Sequence, residues 1–118
     1  MTKNEELRER TKQFAIRVIH LFRALPNAND AQIMGKQLLR CGTSVGANYR
    51  AVSRSRSKAE FIARLGVVAE EADESIFWLE LIEETKVLNP KLLQEILKEV
   101  RELAAIFSAS LKTARENK

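Results

Sequence analysis

The chain contains only two prolines in 118 residues, and both fall where long stretches of helical periodicity stop. Pro26 must end the helix before it, because its ring clashes with a preceding helical residue. Asn89-Pro90 is typical of a helix start, with Asn as the cap and Pro in the first turn. Residues 53–57, where Ser and Arg alternate, predict a further turn. Three such breaks divide the chain into four helical segments.

Each segment carries apolar side chains at three- and four-residue steps, which is the spacing of one helix face. We predict helices at about residues 4–25, 30–52, 58–87 and 90–115. Asn27 and Asn29 are candidate caps of the second helix, and Ser57 with Glu60 forms a predicted capping box for the third. Short connections between long amphipathic helices favour an all-α, up-down-up-down antiparallel four-helix bundle that occupies residues 1–118 as one domain.

The second helix contains Gly35, Gly42 and Gly46, and each glycine costs about 1 kcal/mol relative to alanine within a helix. One interpretation is a notch that lets a neighbouring helix approach closely. The other is a loop from Gly42 to Gly46 that offers N–H groups to an anion. The spacing of Val45 and Val52 continues the helical pattern and favours the notch.

Residue counts argue against several kinds of site. The chain has one cysteine, Cys41, and one histidine, His20, so neither an internal disulfide nor an ordinary zinc site is predicted. No local nucleophile–base pair indicates an enzyme, and we predict no catalytic residues, no metal and no cofactor. The spacing of Cys41 places it on the apolar stripe, as a buried thiol.

Location follows from hydropathy. No segment approaches the ~18–20 apolar residues of a membrane span, and the first ten residues lack the apolar stretch of a secretory signal. We therefore expect a cytoplasmic protein without a membrane partner.

Positive charge is concentrated in the first half of the chain, although the net charge is only +4. The third predicted helix is acidic and includes Glu70, Glu71, Asp73 and Glu74. We define the basic cluster as the six cations around the second turn: Arg40, Arg50, Arg54, Arg56, Lys58 and Arg64. These side chains either bind the phosphates of RNA or DNA, or pair with the acidic helix within or between subunits.

The third helix is apolar on more than one side, which one bundle core cannot accommodate. We define its second apolar face as Ile62, Val67, Phe77, Trp78 and Leu81. An exposed patch of this kind normally marks a partner surface, so we expect self-association through it.

Four segments carry a resemblance to a known family: residues 38–51 (LLRCGTSVGANYRA), 56–66 (RSKAEFIARLG), 70–74 (EEADE) and 77–81 (FWLEL). Together they resemble a bacterial four-helix bundle family that includes proteins encoded in intervening sequences of large-subunit ribosomal RNA genes. The family is related to Avd, the accessory protein of diversity-generating retroelements.

The resemblance implies a homopentamer around a central channel, with a basic surface that binds nucleic acid. Through Avd it implies RNA and a reverse transcriptase as partners, and it supplies no catalytic residues. The residues and the resemblance together predict a non-enzymatic, self-assembling bundle that binds RNA or DNA. The alternative is an interaction or structural module whose charged faces pair subunits without binding nucleic acid.

Overall fold

Four helices account for nearly all of the backbone in the computed structural model, which describes residues 1–117. The helices are α1 (Lys3–Ala24), α2 (Asn29–Val52), α3 (Lys58–Glu84) and α4 (Lys91–Glu116). Each helix packs against the next, and α1 also meets α4, along a thinner seam than the other three. The bundle measures 49 × 25 × 19 Å. The predicted all-α four-helix bundle is confirmed.

Side-chain caps begin two of the helices. Thr2 accepts a hydrogen bond from the Glu5 amide at 3.1 Å and starts α1. Ser57 accepts from the Glu60 amide at 3.0 Å and starts α3, as the capping-box pattern predicts. The Glu60 carboxylate does not complete the box, because it pairs instead with Arg64 at 2.8 Å.

The cap predicted for α2 is wrong. Ala28, with extended backbone, precedes the helix and provides no side-chain cap, so neither Asn27 nor Asn29 has that role. Gln32 instead donates a side-chain hydrogen bond to the carbonyl of Pro26 at 3.1 Å. This bond ties the first turn of α2 to the end of the preceding connection.

Two helix ends differ from the predicted bounds for identifiable reasons. Helix α1 ends at Ala24 because Leu25 precedes proline and adopts an extended backbone, with φ −67° and ψ 143°. Helix α3 ends at Glu84 rather than near residue 87, since Lys86 adopts a left-handed φ of 58°. An αL residue just past the last turn is a common helix stop.

Asn89 and Pro90 open α4 as their sequence predicts. The Asn89 side chain accepts from the Lys91 amide at 3.0 Å. Pro90 already has helical dihedral angles, with φ −53° and ψ −29°. Assigned bounds differ by a residue at such ends, so Pro90 takes the first-turn position.

The core is a continuous apolar seam between the four helices. Its largest fully buried side chains come from every helix: Phe14, Leu38, Leu79, Ile82, Leu93, Leu97, Leu103 and Phe107. The fully buried hydroxyls of Thr11 and Ser75 donate to carbonyls one turn back in their own helices, at 3.1 and 2.8 Å. These two hydroxyls are therefore satisfied locally. No helix among the described residues is long and apolar enough to cross a membrane.

The glycines of α2 form the notch that their spacing predicts. Residues 42–46 are helical, so the anion-binding loop is wrong. A Cβ added to Gly42 would lie 2.8 Å from Cγ2 of Val18, and one at Gly46 would lie 3.2 Å from the carbonyl oxygen of Thr11. The Val18 side chain of α1 therefore packs against Gly42, and the backbone of α1 packs against Gly46.

Substitutions at two glycines should have opposite effects on stability. Gly42→Ala should lower the free energy of unfolding by about 1–2 kcal/mol, because the stiff Val18 side chain cannot move aside and the clash outweighs the gain in helix propensity. Gly66→Ala, on α3 with no atom within 4 Å of the added Cβ, should raise it by up to about 1 kcal/mol. Urea denaturation measures both. Equal stabilisation by the two substitutions would contradict the notch.

Candidate nucleic-acid interface

The structure divides the basic cluster between two locations. Arg50 lies in the last turn of α2, Arg54 and Arg56 lie in the connection, and Lys58 is the first residue of α3. All four side chains are exposed at one end of the bundle. None of them takes part in an ion pair within residues 1–117. We call these four residues the turn cations.

Arg40 lies nearer the middle of α2, before Arg50, and forms ion pairs with α3. It pairs with Glu71 at 3.5 Å and makes a charged hydrogen bond with Glu74. The hydrogen bond that Arg40 donates to Glu74 raises the pKa of Arg40, and the same bond holds the pKa of the Glu74 carboxyl below its usual range. The interpretation in which the basic residues pair with the acidic helix therefore describes Arg40.

Arg64 links the end of α2 to the start of α3. Its guanidinium donates to the carbonyl of Ala51 at 2.7 Å and pairs with Glu60 at 2.8 Å. The Ala51 carbonyl lies in the last turn of α2, where carbonyls have no intrahelical partner and a positive charge is favourable. Arg64 fixes the two helix ends that carry the turn cations.

The second apolar face is only partly open to solvent. Phe77 and Val67 are 52% and 42% exposed, whereas Ile62, Trp78 and Leu81 pack partly against the core. The indole of Trp78 donates to Glu74 at 3.2 Å and meets the Phe77 ring edge-on, with 5.0 Å between the centroids. Phe77 is therefore the large exposed side chain of this face.

Sequence reasoning missed one exposed apolar residue. Ile33 is 62% exposed on α2, although its spacing next to Met34 suggested the buried stripe. Cys41 and Ser75 contact each other at 3.3 Å and set the antiparallel register of α2 and α3. Ile33 lies two turns before Cys41, level with the last turns of α3 beyond Phe77. Ile33 is therefore an exposed apolar side chain on the helix that packs against α3.

A second missed contact ties α1 to α4 across their thin seam. Arg10 pairs with Glu99 through two hydrogen bonds, at 2.6 and 3.1 Å. The hydrogen bond to Glu99 raises the pKa of Arg10. A bidentate pair of this kind fixes orientation as well as distance.

Cys41 is fully buried, as its spacing predicts, and burial raises the pKa of its thiol. A buried thiol of raised pKa is a poor nucleophile at neutral pH. Within residues 1–117, no three His, Cys, Asp or Glu side chains form a group that could hold a metal ion.

Comparison with known proteins supports the four-helix fold. A family model described as the 23S rRNA-intervening sequence protein matches residues 3–109. The chain is similar to a crystal structure of a protein with unknown function from the S23 ribosomal protein family of Bacteroides thetaiotaomicron VPI-5482. The two are 32% identical, the match covers 94% of this chain and 99% of that chain, and the TM-score is 0.85. No curated protein matches the sequence.

The Arg40–Glu74 pair should give stability a defined pH dependence. The lowered pKa of Glu74 means that its stabilising contribution is complete above the ordinary carboxylate pKa and is lost as the pH falls below about 4. Glu74→Gln should therefore be slightly less stable than the unmodified protein at pH 7, and the difference should shrink as the pH falls through the lowered pKa of Glu74. The effect is small because exposed ion pairs contribute little.

Urea denaturation between pH 3 and pH 7 measures this difference. Glu70→Gln is the matched control, since Glu70 is exposed one turn away and joins no ion pair within residues 1–117. A stability difference for Glu74→Gln that persists unchanged at pH 3 would show that the pair is not its source.

Proposed function

The chain belongs to the 23S rRNA-intervening sequence protein family, and on that basis we propose that it is a non-enzymatic, cytoplasmic, self-assembling bundle that binds RNA or DNA. The turn cations are the proposed contact surface. The observation that supports this most directly is that four exposed cations share one end of the bundle without an ion-pair partner in residues 1–117.

Charge of one sign is usually offset on a protein surface unless a partner supplies the opposite sign. Residues 50–58 contain no Asp or Glu, and Glu60, the acidic residue of α3 nearest to the turn, pairs with Arg64. A polyphosphate backbone supplies the missing negative charge. Such contacts position the nucleic acid without reading its sequence, and they release bound counterions.

Binding should therefore weaken steeply with salt. Arg54→Gln with Arg56→Gln should reduce the slope of log affinity against log salt by about 1.4 for single-stranded RNA, because each phosphate that is no longer neutralised accounts for about 0.7 of the slope. Arg23→Gln with Lys36→Gln removes the same charge from exposed positions on α1 and α2 away from the turn and should leave the slope nearly unchanged.

Fluorescence anisotropy of labelled RNA at several salt concentrations measures the slope. Absence of binding at low salt, or an equal reduction of the slope in the two double variants, would overturn the assignment to the turn.

We propose that self-association uses the second apolar face, with Phe77 at its exposed part, together with the exposed Ile33 of α2. The family resemblance suggests five subunits and a reverse transcriptase as a further partner. Phe77→Ser should lower the mass measured by light scattering toward that of one 13.4 kDa chain. Leu92→Ser is the matched control, because Leu92 is 58% exposed but lies on α4.

The alternative function is subunit pairing through charged faces without nucleic acid. It predicts that high salt dissociates the oligomer, whereas Phe77→Ser leaves the mass unchanged. The same light-scattering series at low and high salt thus separates the two proposals.

A further inference from the structure

A cavity of about 290 Å³ opens at the end of the bundle that carries the turn cations. All four helices contribute to its walls. Phe61 is the partly exposed aromatic side chain that lines it, whereas Tyr49 and Phe107, which also line it, are only 6% and 1% exposed. Its rim carries hydroxyl groups, from three serines of the α2–α3 connection and from Ser110 of α4. The site thus combines an apolar interior with a polar mouth, as small-ligand pockets do.

The hydrogen-bonding groups of the cavity are incompletely used. Tyr49 is only 6% exposed, and its hydroxyl accepts a bond from the side chain of Asn4 at 3.4 Å. Within residues 1–117, the Tyr49 proton has no acceptor and the Ser110 hydroxyl makes no hydrogen bond. Both hydroxyls line the cavity and can donate to a ligand that brings acceptor atoms.

The connection that borders the cavity also carries the turn cations. Ser53, Ser55 and Ser57 line the cavity, and Arg54 and Arg56 alternate with them in the sequence and are exposed. A ligand in the cavity that carries a phosphate would therefore have cations beside it. Aromatic walls, unused donors and adjacent cations are the features that recognise a nucleotide.

We propose that this cavity takes one unstacked base of a single-stranded nucleic acid, with the adjoining phosphate on Arg54 and Arg56. The inference rests on the proposed function and adds a subsite to it. The volume lies at the lower end of the ~300–1,000 Å³ range of small-ligand pockets, so it suits one base rather than a stacked pair. A paired base would first have to leave its stack, so the cavity favours single strands over duplex.

A filled cavity tests the inference. Ser110→Phe places a ring at the mouth, and Ser108→Phe adds the same ring at an exposed position on α4 that does not line the cavity. The probe is a labelled, mixed-sequence single-stranded RNA and the duplex of the same sequence, bound to the full chain. Ser110→Phe should weaken single-strand binding about tenfold, the scale of one base–aromatic stack, with the salt slope and the duplex affinity unchanged. Ser108→Phe should change neither.

Each outcome assigns failure to one proposal. If the unmodified protein binds neither RNA, the proposed function fails and the base subsite fails with it. If it binds with the expected salt slope but Ser110→Phe binds single strands equally well, only the base subsite is overturned. If Ser110→Phe changes the oligomer mass and not the RNA affinity, the cavity receives a side chain of another protein copy, which also overturns it.

Two measurements keep the test decisive should the phenylalanine variant unfold. Ser110→Leu fills less space, and thermal unfolding checks that it folds. Independently of any variant, the ring-proton NMR signals of Tyr49, Phe61 and Phe107 in the unmodified protein should shift when single-stranded RNA is titrated in. Ring signals that stay in place in a complex that forms would refute the subsite.

Discussion

The close approach of α1 to α2 is the constraint on which the rest of the bundle depends. A Cβ at Gly42 would clash with the Val18 side chain and one at Gly46 would press on the Thr11 carbonyl, so the crossing of these helices depends on both glycines. Helix α2 contacts α3 on another side, through Arg40 and Cys41. Because α2 is held from both directions, the position of its last turn is set, and with it the position of Arg50 and the connection that follows.

The arginines of the basic cluster serve two physical purposes that the sequence does not distinguish. Arg40 and Arg64 form contacts between helices, where a planar guanidinium can bridge two acceptors at once. Arg54 and Arg56 point away from the bundle among residues without acidic neighbours. Their mutual repulsion is unfavourable to folding, and a phosphate backbone would relieve it. An arginine that joins helices is therefore distinguished from one available for binding by its solvent exposure and by its ion-pair partners within the protein, not by its residue type.

The sequence predicts the helices better than the site because breaks and periodicity are local signals. Pro26, Asn89 and Ser57 mark helix ends through their own backbone chemistry, and Val45 with Val52 carries helical spacing past the glycines. Asn27 is not the cap of α2, because the residue with extended backbone that precedes the helix is Ala28. The path of the connection determines which residue takes that position. The cavity has no sequence signal, since Tyr49, Phe61 and Phe107 come from three helices and meet only through tertiary packing.

Phe77 and the turn cations are far enough apart for the proposed self-association and the proposed nucleic-acid binding to occur at the same time. Phe77 lies 19 residues after Lys58 on one helix, which places them ~28 Å apart along its axis. An interface centred on Phe77 would therefore lie far from the turn cations. Each set alone offers only a few exposed phosphate contacts, which are individually weak in salt. An oligomer would carry the turn cations once in each subunit. After one subunit has bound a strand, binding of the same strand by the next subunit would be intramolecular, so the avidity of the oligomer can exceed the affinity of one subunit by ~10²–10⁴. Under the proposed function, self-association would make a small basic surface sufficient for stable binding.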